Sequence, residues 1–241
     1  MLTIFPAISR YPSLALASGL VDGPARTITG TAMAGIESGP ITFDAVARQA
    51  EVVGAAPRIA PLKQAEMAAE ALALCVAIRA SVGVHEHSVI PDYMLTMVKH
   101  PEIFRCQMEM GTVLFQGRLP ARERELAVLR VGWLMRAPYE WGQHVTIAKR
   151  YGLSDEEVER VTQGSAAEGW AEHDAAILRG VEELVGGAAI SDATWAKLSA
   201  SWDEAQLIEF PMMVGQYVAT AYVQNALRMG LAAGNPGLSL R

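Results

Sequence analysis

The most regular pattern of apolar and polar positions lies between Leu119 and Gly152, where it predicts two helices joined by a very short turn. Pro138 cannot lie inside the first helix, but it suits the first turn of the second one. We therefore expect the first helix to end near Arg136, and the second to run from Pro138 to about Tyr151, where Gly152 ends it. The apolar face of the first helix recurs at roughly helical spacing, at Leu126, Leu129, Val131 and Leu134.

Helical patterns also fill the chain on both sides of this hairpin. The run Ser154 to Glu157 has the sequence of a capping box, in which each side chain can bond the other's backbone amide. Pro211 should kink or break the last and longest helix. No convincing strand is predicted in this part of the chain, so the pattern indicates an all-α fold. The other predicted helices cover 63–80, 91–99, 102–116, 154–163, 171–185, 191–198 and 204–231.

The first 57 residues differ from the rest, because prolines and glycines recur and no helical period persists before residue 43. A short helix is predicted over 43–53, and RTITGT at 26–31 could form a strand. The apolar content argues against plain disorder. We therefore divide the chain into a mostly irregular N-terminal extension, 1–57, and a helical domain, 58–241. The extension should pack on the domain or on a neighbouring subunit.

Composition narrows the function classes. The chain has 241 residues, of which 51% are apolar, enough for a substantial core in one large domain. A net charge of −6 without a basic face argues against a nucleic-acid partner. No apolar run reaches the roughly 20 residues that span a membrane. The first 20 residues lack a basic start and are interrupted by Pro6, Arg10 and Pro12, so we expect a cytoplasmic protein.

The cysteines and the paired histidines give weak signals. Cys75 and Cys106 do not form a CxxC pair, and both lie in apolar helical patterns that predict buried thiols. A disulfide between them is improbable in a reducing compartment. His85 and His87 form an HxH pattern that invites a metal site, but no obvious further ligands accompany it. We expect no metal and no other cofactor.

The strongest chemical signal is a set of three titratable side chains on the hairpin. Glu140 and His144 are four residues apart and share one helical face. Glu125 on the preceding antiparallel helix could raise the pKa of His144 and orient its ring. Simpler interpretations remain open, since the helix dipole alone favours a carboxylate at position 140. Glu125 could instead pair with Arg122 or Arg124.

The shortness of the turn allows a geometric prediction. Antiparallel helices that rise about 1.5 Å per residue place Glu125 nearer the level of His144 than that of Glu140. We therefore expect Glu125 within direct or one-water reach of one imidazole nitrogen of His144, which leaves the other nitrogen for substrate. The three side chains should lie beside a pocket.

Neighbouring side chains could bind the substrate. Tyr139 and Trp141 flank Glu140, and they could wall the pocket, although core packing is the commoner fate of aromatic residues. Arg130 and Arg136 could bind a substrate carboxylate through two parallel hydrogen bonds. A structural ion pair is at least as good an explanation of Arg130.

These residues carry a family resemblance. The runs RERELAVLRV and YEWGQH resemble the carboxymuconolactone decarboxylase family, a branch of the AhpD-like proteins. The resemblance covers about residues 58–232 and implies an AhpD-like helical domain that assembles as a trimer or hexamer. Other similar stretches are RIAPL at 58–62, KHP at 99–101, GLS at 152–154, ISDATW at 190–195 and VGQY at 214–217.

The resemblance implies a cofactor-free lyase or decarboxylase that acts by proton transfer on a small organic acid or lactone, in the breakdown of aromatic compounds. His144 would move the proton, while Glu140 or Glu125 orients it or completes a relay. Peroxidase members of this group carry a CxxC, but the matching positions here are Ala137 and Glu140, which cannot supply a thiolate. A hydroperoxidase-type redox protein and a non-catalytic oligomeric binding protein are the alternatives.

Overall fold

The computed structural model describes residues 42–81 and 89–241, which form α-helices and two 3₁₀ turns and contain no strand. The all-α prediction is confirmed, and the predicted strand at 26–31 lies outside the described residues. The helices are α1 Ala45–Val53, α2 Ala69–Ser81, α3 Asp92–Met97, α4 Pro101–Phe115, α5 Ala121–Leu134, α6 Pro138–Arg150, α7 Asp155–Gln163, α8 Glu172–Gly187, α9 Asp192–Ser199 and α10 Glu204–Leu227. The 3₁₀ turns are Gln64–Glu66 and Gly237–Ser239.

Helix α5 lies at the centre of the fold. Every residue from Arg124 to Leu134 is buried, and the helix packs against α6, α7, α8 and α10. A helix buried on all sides would ordinarily be apolar all round. Because α5 carries charged side chains into the core, each of them needs a partner there.

Helix α6 lies between two hydrophobic clusters. The main cluster surrounds α5 and includes Trp141, while a second cluster joins α3 and α4 to Tyr139 and Met229. Two residues of one helix, Tyr139 and Trp141, thus face different cores. The buried polar side chains of α6 lie along the boundary between these two clusters.

The local rules that predicted the hairpin and its surroundings are confirmed. Pro138 occupies the first turn of α6, and the Ser154–Glu157 capping box is present. Helix α5 ends at Leu134, slightly before the expected end near Arg136. The reason is that Arg136 adopts a left-handed conformation, with φ of 49°, to make the short turn. Gly152 also has a positive φ, 93°, just beyond α6.

The predicted helix at 63–80 is wrong in its first part. Residues Gln64–Glu66 form a 3₁₀ turn, Met67 is extended with ψ of 137°, and α2 begins only at Ala69. The backbone amide of Leu62 donates to the carbonyl of Leu95, which ties this segment to α3. Tertiary contacts therefore override a high helix propensity.

Pro211 does not break the last helix, because α10 continues from Glu204 to Leu227. Proline removes one intrahelical hydrogen bond and crowds the preceding turn. Buried residues on both sides of it, Leu207, Phe210 and Met213, hold the helix against the core. The packing of these side chains offsets the local cost.

Candidate active site

Glu125 and His144 meet across the α5–α6 hairpin. The distance between Glu125 Oε2 and His144 Nδ1 is 2.6 Å, a direct hydrogen bond of the kind that the short turn predicted. Glu125 is fully buried, and His144 is 8% exposed. A contact this short between a carboxylate and an imidazole, shielded from water, couples the two groups strongly.

Arg124 holds the other oxygen of Glu125. Its Nε donates to Glu125 Oε1 at 3.0 Å, and its Nη1 donates to the carbonyl of Phe115 at 2.7 Å. The guanidinium also lies over the Phe115 ring, 4.4 Å from the centroid. Glu125 therefore has both proposed partners at once, Arg124 and His144. Arg122 points elsewhere and pairs with Glu157 and Asp174.

These contacts set the charge of the pair. Burial raises the pKa of the Glu125 carboxyl, but the charges and hydrogen bonds of His144 and Arg124 outweigh burial and lower that pKa overall. Burial lowers the pKa of His144, yet Glu125 and Glu140 outweigh it and raise the pKa to about 10. At neutral pH the pair is therefore a carboxylate and an imidazolium.

Glu140 approaches the second imidazole nitrogen. Its Oε1 lies 3.2 Å from His144 Nε2, and its Oε2 accepts a hydrogen bond from Gln224 Nε2 at 2.6 Å. The expectation that this nitrogen would be left for substrate is therefore wrong, because the four-residue spacing places Glu140 beside it. A substrate at this point meets the carboxylate of Glu140 and the imidazolium together.

A cavity of about 260 Å³ opens beside these groups, between α6, α4 and α10. Glu140 and His144 are the charged residues of its wall within the described part of the chain. Tyr93, Tyr139 and Tyr217 supply aromatic surface, and Tyr217 stands edge-on to the His144 ring, with 5.0 Å between centroids. Of the three candidate catalytic residues, Glu140 and His144 line this cavity, whereas Glu125 does not.

A network of uncharged polar groups forms the far wall. Tyr93 donates its hydroxyl proton to Gln107 Oε1 at 2.8 Å, and Gln107 Nε2 donates to Thr220 Oγ1 at 3.2 Å. The sequence interpretation missed these residues. A usable signal existed, since Gln216, Thr220 and Gln224 recur every four residues on the largely apolar second half of α10 and all line the cavity.

Tyr139 is the one predicted substrate-binding residue that the structure places on the cavity wall. Trp141 is fully buried in the main core, where its Nε1 donates to the carbonyl of Leu240 at 2.9 Å. Arg130 is buried against Glu182, with 2.7 Å between Nη2 and Oε1. Arg136 is exposed and lies over the Phe43 ring. Arg130 and Arg136 are therefore not brought together with His144.

The thiols lie away from the cavity. Cys75 is buried, as predicted, but Cys106 is exposed on the outer side of α4, so the prediction of two buried thiols is wrong for Cys106. Neither cysteine lines the cavity beside His144. Both thiols are free.

The metal and membrane predictions concern other parts of the chain. His85 and His87 lie outside the described residues. Within the residues that the structure describes, no group of histidine, cysteine, aspartate and glutamate could hold a metal ion. Within the same residues, no helix has both the length and the apolar character needed to cross a membrane.

Comparison with known proteins places this architecture. It superposes on the alkylhydroperoxidase AhpD core of an uncharacterized peroxidase-related protein from Ralstonia eutropha, with a TM-score of 0.62 at 15% identity over 73% of this chain and 93% of the other. For the debrominase Bmp8 the TM-score is 0.58 at 15% identity, over 73% and 92%. For a peroxidase-related protein from Silicibacter it is 0.59 at 14% identity, over 70% and 88%. At these identities the likeness shows the fold alone, which is AhpD-like.

A family model matches part of the sequence. Residues 101–183 match the model of the carboxymuconolactone decarboxylase family. No curated protein matches the chain. The matched segment contains Glu125, Glu140 and His144, whereas the polar residues of α10 lie beyond it.

Proposed function

We propose that this protein is a cofactor-free enzyme of the lyase or decarboxylase type, which transfers a proton to or from carbon in a small organic acid or lactone. The observation that supports the proposal is the contact of His144 with Glu125 on one side and Glu140 on the other, at the wall of an open cavity. Side chains thus supply both an acid and a base beside the space where a substrate would lie.

The charges suggest a role for each residue. Glu140 lines the cavity as a hydrogen-bonded carboxylate and is the candidate base. His144, as an imidazolium, is the candidate acid, which can protonate carbon or the oxygen of an enolate. Glu125 does not line the cavity, so we assign it the positioning of the imidazole. Arg124 positions Glu125 in turn.

The hydroperoxidase alternative requires a thiolate at the site. Ala137 and Glu140 occupy the positions where peroxidase members carry cysteines, and neither Cys75 nor Cys106 lines the cavity. The resemblance to peroxidase-related structures concerns the fold. A non-catalytic binding protein with the same pocket is the second alternative, and it must be tested by turnover.

Exchange of carbon-bound hydrogen in deuterium oxide tests these alternatives. Wild-type protein should incorporate deuterium next to the carbonyl of at least one small lactone or ketone, as measured by proton NMR. The His144→Ala variant should lose the exchange and keep its circular dichroism spectrum. The double variant Cys75→Ser, Cys106→Ser should keep it. Ligand binding without exchange would favour the binding protein, and loss of activity in the double variant would revive the redox alternative.

We also propose that the protein is a homo-oligomer, a trimer or a hexamer. Large apolar side chains on α4 and α10 are exposed in the single chain, and exposed apolar surface of this kind can mark contacts between subunits. They are Ile103, Val113, Ile208, Met212 and Tyr222. Light scattering at micromolar concentration should give a multiple of 25.9 kDa, and a 25.9 kDa particle would contradict the proposal.

A further inference from the structure

We propose that the cavity beside His144 accepts an uncharged, oxygen-bearing molecule of about the size of one ring, and that it rejects a carboxylate of the same shape. The inference rests on the proton transfer proposed above. Within that proposal it excludes decarboxylation, which needs a carboxylate on the substrate, and it narrows the substrate class. Of the two classes named above, it selects lactones and related carbonyl compounds over organic acids.

The first argument is charge. Arg124 and His144 balance Glu125 and Glu140, so the buried group is neutral before any ligand enters. No lysine or arginine of the described residues lines the cavity. A ligand carboxylate would therefore add an uncompensated negative charge close to Glu140. Burying such a charge without a partner is strongly unfavourable.

The nearby arginines do not face the cavity. Arg124 donates from Nε to Glu125 and from Nη1 to the carbonyl of Phe115, while its Nη2 is buried without a hydrogen-bond partner among the described residues, and the residue does not line the cavity wall. Arg130 pairs with Glu182 outside the cavity. Neither can turn toward a ligand without giving up its hydrogen bond to a buried carboxylate, which is itself unfavourable.

The second argument is the supply of neutral hydrogen-bonding groups. Tyr139, Tyr217 and Gln143 line the cavity, and their side chains make no hydrogen bond within the described part of the chain. Burial raises the pKa of Tyr139 to about 12 and that of Tyr217 further, so both hydroxyls remain protonated donors. Phenol and amide donors suit a carbonyl oxygen without requiring a charge on it.

The third argument is size. The cavity volume of about 260 Å³ is just below the range of roughly 300–1,000 Å³ typical of drug-sized ligands. A molecule with a single ring fits this volume. Three tyrosine rings and the side chains of Met108 and Ile147 provide the apolar surface against which such a ring would pack.

The inference also selects a reaction. Decarboxylation needs a carboxylate on the substrate, whereas enolisation does not. Glu140 would take the proton from the carbon next to the carbonyl, and the C–H electron pair would form a carbon–carbon double bond. The carbonyl π pair would move to oxygen, which takes a proton from His144. Glu140 then returns a proton to the same or a conjugated carbon while the enol oxygen returns its proton to His144, which restores the carbonyl and completes an isomerisation with no change in oxidation state.

Benzamide and benzoate test the charge preference, because they have the same shape and differ in charge. Binding to the wild-type protein at pH 7 is measured by NMR titration. We expect benzamide to bind with a dissociation constant at least about tenfold lower than that of benzoate. Glu140→Gln should reduce this ratio about fivefold or more. Glu109→Gln, which removes the same charge from an exposed position on α4, should leave it unchanged.

Two outcomes would overturn the inference: benzoate binding as tightly as benzamide, or no benzamide binding at millimolar concentration. If Glu140→Gln does not fold, Tyr217→Phe serves instead. It should weaken benzamide binding several-fold and leave the preference for the uncharged ligand. Deuterium exchange is measured separately. A preference for benzamide without exchange of any carbonyl compound would contradict the proposed function and leave the charge preference standing.

Discussion

Two buried ionic groups lie on helix α5, and they differ in what surrounds them. Arg124 and Glu125 join His144 and Glu140, and this group reaches the wall of a cavity. One turn and a half further along, Arg130 pairs with Glu182. Both guanidinium groups are nearly inaccessible to solvent, so burial alone does not distinguish a site from a structural ion pair.

The difference lies in how completely the hydrogen bonds are used. Arg130 bonds Glu182 and the carbonyls of Val161 and Thr162, and both oxygens of Glu182 also accept hydrogen bonds from Ser165. No group of this pair faces the cavity beside His144. In the group around His144, Glu125 and Glu140 both contact the imidazole, and Glu140 lines the cavity. The candidate site therefore differs from the structural ion pair in two ways: it has access to a cavity, and a second carboxylate lies beside its imidazole.

The largest effect on stability should come from breaking the ion pair between Arg130 and Glu182. Arg130→Met removes the nearer cation of Glu182, which is 7% exposed, and leaves Arg179, 3.9 Å away. Removing one partner of a buried pair typically costs about 3–5 kcal/mol. Urea unfolding should show a loss of this size, while the fraction that remains folded keeps its specific activity. A loss below about 1 kcal/mol would mean that this pair does not hold α5 to α8.

A change in the pair of Glu125 and His144 should instead lower the activity. Glu125→Gln removes the charge that keeps His144 protonated and oriented, and it should lower the rate of deuterium exchange about 10²-fold, the effect of losing a positioned acid–base contribution. Because a structural role would lower stability without changing the pH profile, the rate is measured against pH. The acidic form of His144 should be lost at a lower pH in the variant than in wild type. An unchanged profile would contradict the positioning role.

The sequence predicted the hairpin and three side chains of the site because these depend on local rules. Pro138, the Ser154 cap and the four-residue spacing of Glu140 and His144 all act within one or two helical turns. The antiparallel hairpin then determines which residue of α5 faces His144. For these elements, the length of the turn and the rise per residue of a helix are enough to predict which side chains meet.

The rest of the site depends on partners that are distant in sequence. Glu182 is 52 residues from Arg130, and Leu240 is 99 residues from Trp141. No periodicity of α5 or α6 indicates those contacts. Gln224 reaches Glu140 across 84 residues for the same reason. Pro211 shows the converse, because a strong local rule gives way to packing.

The pair of Glu125 and His144 should also make the free energy of unfolding depend on pH. The folded pKa of His144, about 10, exceeds its ordinary value of 6.5, so its contribution is complete below pH 6.5 and is lost as the pH rises toward 10. Glu125 has a lowered pKa, so its contribution is present above pH 4.5 and is lost only in stronger acid.

Between pH 6.5 and 10 the free energy of unfolding of wild type should therefore fall more steeply than that of His144→Gln, by at most about 1.4 kcal/mol per pH unit. Chemical denaturation at several pH values measures both slopes. Equal slopes would show that the imidazole is not held as a cation. Arg130→Met provides the comparison, because it leaves the histidine in place.

The smallest effects should come from substitutions at two glycines, one at the cavity and one in the main core, which compare the free space in the two places. Gly111 on α4 lines the cavity, and a Cβ atom there would meet nothing within 4 Å. Gly180 lies on α8 beside the main core, and a Cβ atom there would stand 2.8 Å from the fully buried ring of Phe210. Both glycines are helical, so alanine lowers the conformational cost of the helix at each by about 0.5–1 kcal/mol. At position 111 that gain should appear as increased stability. At position 180 overpacking of about 1–3 kcal/mol opposes it, and the net change should be destabilising. Thermal unfolding of Gly111→Ala and Gly180→Ala should give shifts of opposite sign, and shifts of the same sign would show that the two sides of the core do not differ in free space.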